Sequence, residues 1–577
     1  MQGYLADRFR QALAALPDLP EGFDPQAVAV TFEAPNNPAH GDLATNVALQ
    51  LAKPLRRAPR QVAEQLVMKL ASQGVIDNRR VATLEVAGPG FINVRLASAY
   101  LSEAVAEILQ RGNAFGRTDA GAGKTAIVEY VSANPTGPLT VGHGRNAVLG
   151  DTFANLLGWT GWQVTREYYF NNAGRQMRIL GQSVKARVEE LLNPDTPLKT
   201  VDLGAGEEVD VPESFPEDGY VGEYIIDIAR QVLDANGPSV LERPDEFFQQ
   251  AAEQAIFADI ERTMGRLGIH MDTYFNEHSL YENGAVWAVL DRLKEKDLAY
   301  EQEGAWWFRT GQLGKVITDQ HGSRAVDTVL VKSSGEPTYR LPDIAYHLDK
   351  LARGFDLVLD VFGADHIATY PDVLRGIEAL GEDAKRIDVV IYQFVTLVRG
   401  GEPFKMSTRK ARYVTLDELM DEVGADVTRF FFLMRSPNTH LEFDLDLAKE
   451  ASEKNPVFYL QYAHARICSI LRKAKEVGVT TDGANLSLLT HESEQGLMKE
   501  LLRLPEAVQQ AADLREPHRL ANYLRDAATA FSAFYRDCRI IGEEAALAAA
   551  RLALADAARL VLKNGLTVLG ISAPEQM

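Results

Sequence analysis

The stretch VEYVSANPTGPLTVGHGRNAVLGD, Val128 to Asp151, is the most informative segment of this chain. An apolar run, 126–131, ends in a segment rich in Asn, Pro and Gly, and a helical pattern begins at Gly142-His143-Gly144. A strand that leads through a tight loop into a helix N-terminus favours anion binding. The first-turn N–H groups there are unpaired, and the helix dipole adds partial positive charge. We therefore expect His143 and Arg145 to reach a phosphate, with Gly142 and Gly144 allowing the backbone to approach it.

Composition sets mild limits on the kind of protein. A chain of 577 residues predicts roughly three or four domains of about 150 residues. Two cysteines, Cys468 and Cys538, argue against a disulfide framework and a cysteine-based zinc site. The N-terminus lacks the apolar core of a secretory signal, and the most apolar late segment, 545–562, is interrupted by charges. A cytoplasmic protein without a membrane span is expected.

The net charge of −20 weighs against a nucleic-acid partner, because phosphate neutralisation requires Lys and Arg. The charge is unevenly distributed, however. An acidic segment covers 202–218, whereas basic clusters lie elsewhere, at Lys53, Arg56, Arg57 and Arg60, at Lys405, Arg409, Lys410 and Arg412, and at Arg466, Arg472, Lys473 and Lys475. Local patches can hold a shaped RNA on an acidic protein, so the global charge neither supports nor excludes one.

The pattern of apolar residues divides the chain into three parts. Residues 1–115 mix helical and strand periodicity and predict a small α/β unit, in which Asp42 is placed to cap a helix. Residues 116–415 alternate strands and helices, as is typical of an open parallel sheet, with an insertion near 190–280. Residues 416–577 predict an all-α domain. The strands expected in the sheet are 126–131, 164–169, 357–362 and 389–394.

Two further segments carry polar groups in suggestive positions. GGEPFKMSTRKA, 400–411, is a basic loop, and basic loops are usually solvated surface. VFGADHIATY, 361–370, ends an apolar strand in Gly363, Asp365 and His366, which predicts polar groups at the carboxyl edge of the sheet, where ligands bind. A cap formed by Asp365 at the start of a helix explains the same pattern equally well.

Two positions suit the binding of a cation. Glu129 lies inside an apolar strand, where a carboxylate is costly unless a cation pairs with it. Tyr339 and Asp343 are four residues apart and share one face if the segment is helical. By pattern alone, an ordinary surface turn of a helix is the simpler explanation for this second pair.

Taken together, these segments resemble the class I aminoacyl-tRNA synthetases. Thr140–His143 stands at the position of the HIGH motif and Lys405–Thr408 at that of the KMSKS motif, and ANPTGPLTVGHGR, 133–145, is similar to arginyl-tRNA synthetases. The resemblance covers nearly the whole chain. It implies a Rossmann-like catalytic domain, an N-terminal additional domain that contacts the tRNA elbow, and an all-α anticodon-binding bundle that includes NPVFYLQYAHARI, 455–467.

The resemblance also assigns roles to individual residues. It implies catalytic roles for Thr140, His143, Lys405, Ser407 and Arg409; ATP contacts for Gly142, His143, Gly144, Gly363, Asp365, His366, Lys405 and Met406; and arginine contacts for Glu129, Ser132, Asn134, Tyr339 and Asp343. The family pattern has histidine where this chain has Thr140 and lysine where it has Thr408. Either Arg409 or Lys410 is expected to supply the displaced charge.

The implied activity is that of an arginine–tRNA ligase. ATP and L-arginine would form arginyl-adenylate, and tRNA(Arg) would accept the arginyl group, with Mg²⁺ accompanying ATP, no zinc, and bound tRNA helping to assemble the arginine site. A monomer is implied, and removal of residues after about 450 is expected to spare the catalytic fold. Two alternatives stay open at this point: another class I synthetase, and a catalytically silent tRNA-binding paralogue, which Thr140 and Thr408 keep in consideration.

Overall fold

The computed structural model describes residues 1–577 except 18, 34, 36, 38–39, 173, 205–206, 320–321 and 405–413. Within these residues, no helix combines the length and apolar character needed to cross a membrane.

The N-terminal unit is a three-stranded antiparallel sheet covered by helices. Its elements are α1 (Gln2–Ala14), β1 (Leu43–Thr45), α2 (Val47–Leu55), α3 (Pro59–Ser72), β2 (Val81–Ala87) and β3 (Phe91–Leu96), followed by α4 (Ser98–Arg111). The strand order is β1-β3-β2. Its own apolar core contains Phe9 packed edge-on against Phe32. The prediction of an α/β unit is confirmed.

Asp42 does not cap a helix, so that expectation is wrong. Helix α2 begins after Asn46, and the Asp42 carboxylate instead accepts a hydrogen bond from the Leu96 N–H at 2.7 Å. It also pairs with Lys499 of the C-terminal helices at 2.6 Å. Asp42 therefore joins the N-terminal sheet to the far end of the chain.

The central domain is built on a five-stranded, fully parallel sheet of order β15-β14-β4-β5-β8. Its elements are β4 (Thr125–Glu129), α5 (Val141–Trp159), β5 (Gln163–Phe170), α6 (Gly174–Leu192), β6 (Leu198–Gly204), β7 (Glu207–Pro212), α7 (Glu223–Asn236), α8 (Asp245–Arg266), β8 (Thr273–Asn276), α9 (His278–Glu282), α10 (Ala285–Glu295), β9 (Ala299–Gln302), β10 (Ala305–Phe308), β11 (Val316–Asp319), β12 (Gly322–Ala325), β13 (Thr328–Val331), α11 (Arg340–Ala352), β14 (Leu357–Gly363), α12 (Tyr370–Ala379), β15 (Ile387–Tyr392), β16 (Val395–Arg399) and β17 (Glu402–Pro403).

The four predicted strands all lie in this sheet, at β4, β5, β14 and β15. The fifth strand, β8, closes one edge and lies inside the region that the sequence predicts as an insertion. The acidic segment forms the hairpin β6–β7, and helices α6, α7 and α8 pack together beside it.

The C-terminal part is helical, as predicted, apart from one short strand. Its elements are α13 (Leu416–Val423), α14 (Ala425–Leu433), β18 (Leu441–Asp444), α15 (Leu445–Lys449), α16 (Pro456–Glu476), α17 (Glu492–Leu501), α18 (Leu504–Asp513), α19 (His518–Asp537) and α20 (Ala545–Val568). Strand β18 contradicts the expectation of helices throughout, because it pairs in parallel with β16 of the central domain. The boundary after residue 415 stays a prediction.

The central and C-terminal parts share one apolar core, which runs from the parallel sheet through α5 to α16–α20. Gly116 lies at one close contact between the two parts, since a Cβ there would lie 2.9 Å from Leu504 of α18 and 3.3 Å from Trp159 of α5. The survival of the catalytic fold after removal of residues beyond about 450 stays a prediction. The shared core argues against it, because these helices cover the apolar side of α5.

Candidate active site

Helix α5 begins at the carboxyl edge of β4 with its N-terminus open to a ligand. Thr140 is the N-cap, and its backbone N–H donates to Nδ1 of His143 at 3.2 Å. A backbone N–H can only donate, so Nδ1 is the acceptor and the proton of the neutral imidazole lies on Nε2. Burial lowers the pKa of His143, which keeps the ring neutral near pH 7. His143 is thus oriented as a hydrogen-bond donor at the start of a helix.

Arg145 does not reach an anion, contrary to the sequence-based expectation. Its side chain is fully buried and donates to the backbone carbonyls of Thr439 at 3.0 Å, Ser436 at 3.1 Å and Gln393 at 2.5 Å. Arg145 therefore holds the 436–439 loop against α5 and has a structural role.

The two glycines beside His143 face different surroundings. A Cβ at Gly142 would meet only the Thr140 hydroxyl, at 3.7 Å, so the backbone there is open. A Cβ at Gly144 would lie 2.5 Å from Leu416 and 3.1 Å from Phe432. Gly142 thus leaves room for a ligand, whereas Gly144 allows α13 and α14 to pack against α5.

The basic loop with Lys405, Met406, Ser407, Thr408, Arg409 and Lys410 lies outside the described residues, but its two ends are defined. On one side, Phe404 N–H donates to Leu397 of β16 at 2.7 Å. On the other, Leu416 N–H donates to Leu139 at 2.8 Å, and Thr415 forms a bridge with Thr140. The segment that leaves the loop is therefore hydrogen-bonded to the residues that open α5, which brings the two distant sequence motifs together.

The loop after β4 contains an unusual backbone bend. Val131 and Ser132 both adopt positive φ, at 66° and 45°. This conformation is rare for a β-branched residue, costs of order 1–3 kcal/mol per residue and clusters at functional sites. Asn146 of α5 maintains the bend, since its Oδ1 accepts from Val131 N–H at 2.6 Å and its Nδ2 donates to Val361 of β14 at 2.9 Å.

Three of the predicted arginine contacts follow this strand. Ser132 Oγ donates to Glu129 at 2.9 Å, and Glu129 itself is buried. Asn134 is held by two residues that follow β5. Its Oδ1 accepts from the Asn171 N–H at 3.2 Å, and its Nδ2 donates to Gln176 at 3.3 Å. Ser132 and Glu129 are thus directly hydrogen-bonded, whereas Asn134 is held by residues that follow β5.

The cation that compensates Glu129 is Lys350 of α11. Its ammonium group is fully buried and donates both to Glu129 and, at 2.6 Å, to Asp360 of β14. Glu129 and Asp360 face each other in register across the two strands. The charge of Glu129 is therefore balanced within the protein, as the desolvation cost of a buried carboxylate requires.

His347 completes this buried group as a second cation. Its Nε2 lies 2.9 Å from Asp360, and its Nδ1 lies 2.7 Å from the backbone carbonyl of Asp343. Both neighbours are acceptors, so both ring nitrogens donate and the ring is an imidazolium. Burial and Lys350 act to lower the pKa of His347, but the carboxylate of Asp360 outweighs them and raises it.

Two carboxyl groups beside this network, those of Asp343 and Glu277, form no ion pair within the described part of the chain. Glu277 is buried directly after β8, where Tyr169 donates to one oxygen at 2.5 Å and Asn171 to the other at 2.7 Å. Burial raises the pKa of Glu277, and burial together with Glu129 and Glu277 raises that of Asp343 to about 7. Asp343 lines a pocket. Near it the four carboxyl groups Glu129, Asp360, Asp343 and Glu277 outnumber the two described cations, Lys350 and His347.

Tyr339 and Asp343 share one face of α11, as predicted, but differ in exposure. Tyr339 is the N-cap of the helix and is 75% exposed, whereas Asp343 is half-buried. The aromatic wall near Asp343 is formed instead by Tyr169 and Tyr346, whose ring centroids are 4.4 Å apart. The pocket is therefore open on the side of Tyr339.

The third predicted segment also lies at this edge. Strand β14 ends at Gly363, where a Cβ would lie 2.4 Å from the carboxylate of Asp365. His366 stacks on Phe362 with ring centroids 4.9 Å apart and is half exposed. Asp365 does not cap the following 3₁₀ turn, Ala364–Ala368, whose N-cap is Gly363. The segment presents a carboxylate and an imidazole to solvent beside the Asp343 pocket.

Sequence reasoning missed Lys350, His347, Asp360 and Glu277. The charged residues at 347, 350 and 360 fall in apolar surroundings, and that was an available signal, since buried charges are usually paired. Glu277 follows a strand that was not predicted, so nothing in the local pattern indicated it. Among the described residues, no group of three or more His, Cys, Asp or Glu side chains is arranged to hold a metal ion.

Comparison with known proteins matches this geometry to a class of enzyme. The family description "tRNA synthetases class I (R), catalytic domain" matches residues 104–437, which contain the parallel sheet and the N-terminus of α5. The fold is that of a class I aminoacyl-tRNA synthetase. "Arginyl tRNA synthetase N terminal domain" matches residues 3–96, and "DALR anticodon binding domain" matches residues 460–577.

Relatives narrow the assignment further. An arginine–tRNA ligase of Salinibacter ruber is 60% identical over 579 residues, covering 100% of both chains, and one of Desulfotalea psychrophila is 48% identical over 95% of this chain and 94% of the relative. The chain belongs to the arginine–tRNA ligase family. A solved structure described as a putative arginyl-tRNA synthetase from Campylobacter jejuni has 32% identity and a TM-score of 0.72, covering 84% of this chain and all of that one. The Thermus thermophilus arginyl-tRNA synthetase, at 23% identity and a TM-score of 0.75 over the full length of both chains, supports the fold.

Proposed function

We propose that this chain uses ATP to activate L-arginine as arginyl-adenylate and transfers the arginyl group to tRNA(Arg). The first step forms a bond between the arginine carboxylate and the α-phosphorus and releases pyrophosphate. In the second, a terminal ribose hydroxyl of tRNA attacks the arginyl carbonyl and AMP leaves.

One observation carries the choice of amino acid: the pair of carboxyl groups, Asp343 and Glu277, that form no ion pair within the described residues. A guanidinium group is planar, always charged and donates in pairs, so carboxylates at a buried site suit it. Their raised pKa values show that the protein alone stabilises their charge poorly. A cationic substrate would supply the missing partner, whereas an uncharged amino acid would leave both carboxyl groups unbalanced.

The nucleotide would bind at the N-terminus of α5. His143 would donate Nε2–H to a phosphate oxygen, and Gly142 would let the backbone approach it, since negative charge is favoured at a helix N-terminus. We propose that Lys405, Met406, Ser407 and Arg409 join from the loop anchored next to Thr140. Electrostatic stabilisation of the phosphoryl group in the transition state is the main task of these groups.

The remaining site assignments are proposals of the same kind. Gly363, Asp365 and His366 would hold the nucleoside, and Glu129, Ser132, Asn134 and Tyr339 would join Asp343 around arginine. For Gly144 we propose an indirect role, through the packing of Leu416 against α5. Thr140 would act through its hydrogen bond to His143, in place of the family's histidine.

We further propose that 1–115, 116–415 and 416–577 are functional units and that both ends of the chain contact tRNA. A groove between α16 and α19 is lined by Tyr459, Tyr462 and Tyr535, and Arg466 lies 4.5 Å above the ring of Tyr535. Aromatic rings and a guanidinium in a groove suit unstacked bases. In the N-terminal unit, Phe91 is 40% exposed in a cavity that also contains Asn93, which suits a base at the tRNA elbow.

Three accompanying features are proposed from the chemistry of the reaction. Mg²⁺ would enter with ATP, because it neutralises the phosphates and keeps most of its water ligands. No zinc is required. The protein would act as a monomer in the cytoplasm without membrane association, and bound tRNA would help to assemble the arginine site.

Arginine-dependent exchange of pyrophosphate into ATP, measured with tRNA present, tests the activity. We expect exchange with L-arginine and not with lysine or citrulline, followed by arginylation of tRNA(Arg) among purified tRNAs. Intact tRNA binding without exchange would instead identify a catalytically silent paralogue. Exchange supported better by an uncharged amino acid would exclude the assignment of Asp343 and Glu277.

A further inference from the structure

A basic cavity lies where the central domain meets the C-terminal helices, away from the arginine pocket and from the aromatic groove. Its volume is about 340 Å³, and it lies between α14 and α19. The polar side chains that line it include Arg435, His518, Asn522 and Arg525. No acidic side chain lines it among the described residues.

The charges in this cavity are not balanced by the protein. Arg435 and Arg525 are both exposed, and within the described part of the chain neither pairs with a carboxylate. His518 adds a buried Nδ1 that has no hydrogen-bond partner within the described residues. Burial lowers the pKa of this imidazole, so it is neutral near pH 7.

The cavity and the aromatic groove lie along the same face of α19. His518, Asn522, Arg525, Thr529, Ser532 and Arg536 recur at intervals of three and four residues, so they lie on a single stripe of the helix. The stripe spans about 27 Å at 1.5 Å per residue. Ser532 and Arg536 line the aromatic groove at its far end, and Tyr459 of α16 contacts Thr529 and Ser532 at 3.4 and 3.2 Å.

The opposite wall of the cavity is fixed to the nucleotide site. Ser436 and Thr439 line the cavity, and their backbone carbonyls accept hydrogen bonds from the buried Arg145 of α5. A ligand in the cavity would thus contact a loop that is held to the helix beginning at His143.

We propose that this cavity binds a ribose-phosphate segment of tRNA between the anticodon and the acceptor end, an inference that rests on the proposed function. Arg435 and Arg525 would contact phosphate oxygens, because unpaired guanidinium groups bind phosphate in this way. The neutral His518 and the Asn522 amide both donate and accept, which suits the ribose 2′-hydroxyl. The polar stripe of α19 leads the backbone from the cavity to the aromatic groove.

The test compares Arg435→Gln and Arg525→Gln with Arg519→Gln, which changes an arginine on another face of the same helix that is paired with Glu516. Binding of tRNA(Arg) is measured over a range of salt concentrations. Each cavity variant should bind roughly tenfold more weakly at low salt, and the slope of log K against log salt should fall by about one. The control should retain both wild-type values. At saturating tRNA, kcat for arginylation should be unchanged while KM for tRNA rises.

A wild-type affinity and salt slope in both cavity variants would overturn the inference. The inference would also be overturned if these variants kept the wild-type tRNA affinity and salt slope but lost binding of inorganic tripolyphosphate. The cavity would then bind a free phosphate compound and not tRNA. A wild-type protein that charges no tRNA would refute the proposed function instead. A second variant, His518→Phe, should reduce the affinity difference between tRNA(Arg) and a copy with deoxyribose in its anticodon stem, and an unchanged difference would contradict the hydroxyl contact.

Discussion

Asp343 is a carboxyl group whose ionisation falls near physiological pH. Burial and the neighbouring carboxylates Glu129 and Glu277 raise its pKa to about 7. The carboxylate form pairs with a guanidinium, whereas the protonated form does not, and the guanidinium remains charged throughout. In the arginine site proposed above, the free enzyme below pH 7 must lose a proton from Asp343 before it binds arginine. We expect KM for arginine to rise by about tenfold for each pH unit below 7 and to be constant well above it.

Asp343→Asn provides the matched control for this prediction. The amide has nearly the same shape but does not titrate, so the pH dependence of KM for arginine should flatten. Arginine binding should weaken more than ATP binding. Equal weakening of both substrates would indicate a structural position, and a pH profile identical to wild type would assign the titration to another group.

The role of His143 can be tested by substitution. Its Nε2–H is fixed by the backbone of Thr140, so its loss removes a donor that is already oriented. His143→Ala should raise the barrier to adenylation by about 2–4 kcal/mol, a typical effect of removing one such donor. His143→Gln places an amide N–H near the same point and should recover part of the rate in pyrophosphate exchange. Exchange at the wild-type rate in the alanine variant would refute the role.

The sequence predicted that Glu129 needs a cation, and the structure confirms this requirement. It did not indicate that the cation is Lys350 of α11, which lies 221 residues away and meets Glu129 only in the folded chain. The same limit explains why the sequence mispredicted the role of Arg145. A cation next to a phosphate-binding turn predicts anion binding, but the three carbonyls that it contacts come from residues more than 240 positions later.

The contact between α5 and α13 can be tested by substituting alanine for each of the two glycines beside His143. Gly144→Ala would place a Cβ 2.5 Å from the buried Leu416, so α13 must shift. We expect a loss of about 1–3 kcal/mol in the free energy of unfolding, as is typical of overpacking, and slower exchange, because α13 follows the basic loop directly. Urea unfolding and the exchange rate measure these effects.

Gly142→Ala is the control, because the nearest atom to its new Cβ would be 3.7 Å away. Its free energy of unfolding should stay at or above the wild-type value, since alanine favours a helix. An equal loss of stability in both variants would contradict the packing argument.

Elements were predictable where their apolar pattern was long. Helix α5 and strands β4, β5, β14 and β15 follow from local periodicity, and each was found within a few residues of its predicted bounds. Strands β8 and β18 have only four residues each and are strands because neighbouring strands supply their hydrogen bonds. Such short elements depend on tertiary pairing more than on propensity.

Arg429 of α14 joins three segments that are far apart in the sequence. Its buried guanidinium donates to Asp151 of α5 at 2.6 Å, to the carbonyl of Leu267 after α8 at 2.8 Å, and to that of Leu569 after α20 at 3.1 Å. Arg429→Met should lower the free energy of unfolding by about 3–5 kcal/mol, because it leaves Asp151 buried without this partner.

Arg166→Met is the matched variant for Asp151. Arg166 is partly exposed and lies 3.4 Å from the other carboxylate oxygen. Its removal should cost about 1 kcal/mol or less, as is usual for an ion pair open to solvent. Equal midpoints of urea denaturation for the two variants would refute the central role of Arg429.

Truncation provides a test of the shared core. A chain that ends at residue 450 would expose the apolar side of α5 that α18 and α20 cover. We expect this fragment to aggregate or to lack a cooperative unfolding transition in calorimetry. A soluble fragment with a sharp transition would restore the view that the catalytic part folds alone.

The shared core also has a consequence for biosynthesis. A chain emerges from the ribosome with its N-terminus first, and domains usually fold in that order. Here the residues that seal the central hydrophobic interior, in α20 and the turn at Leu569, are made long after α5. Helix α5 therefore stays unsealed until α20 has been translated, so a nascent polypeptide exposes apolar surface while the segments between these two helices are made.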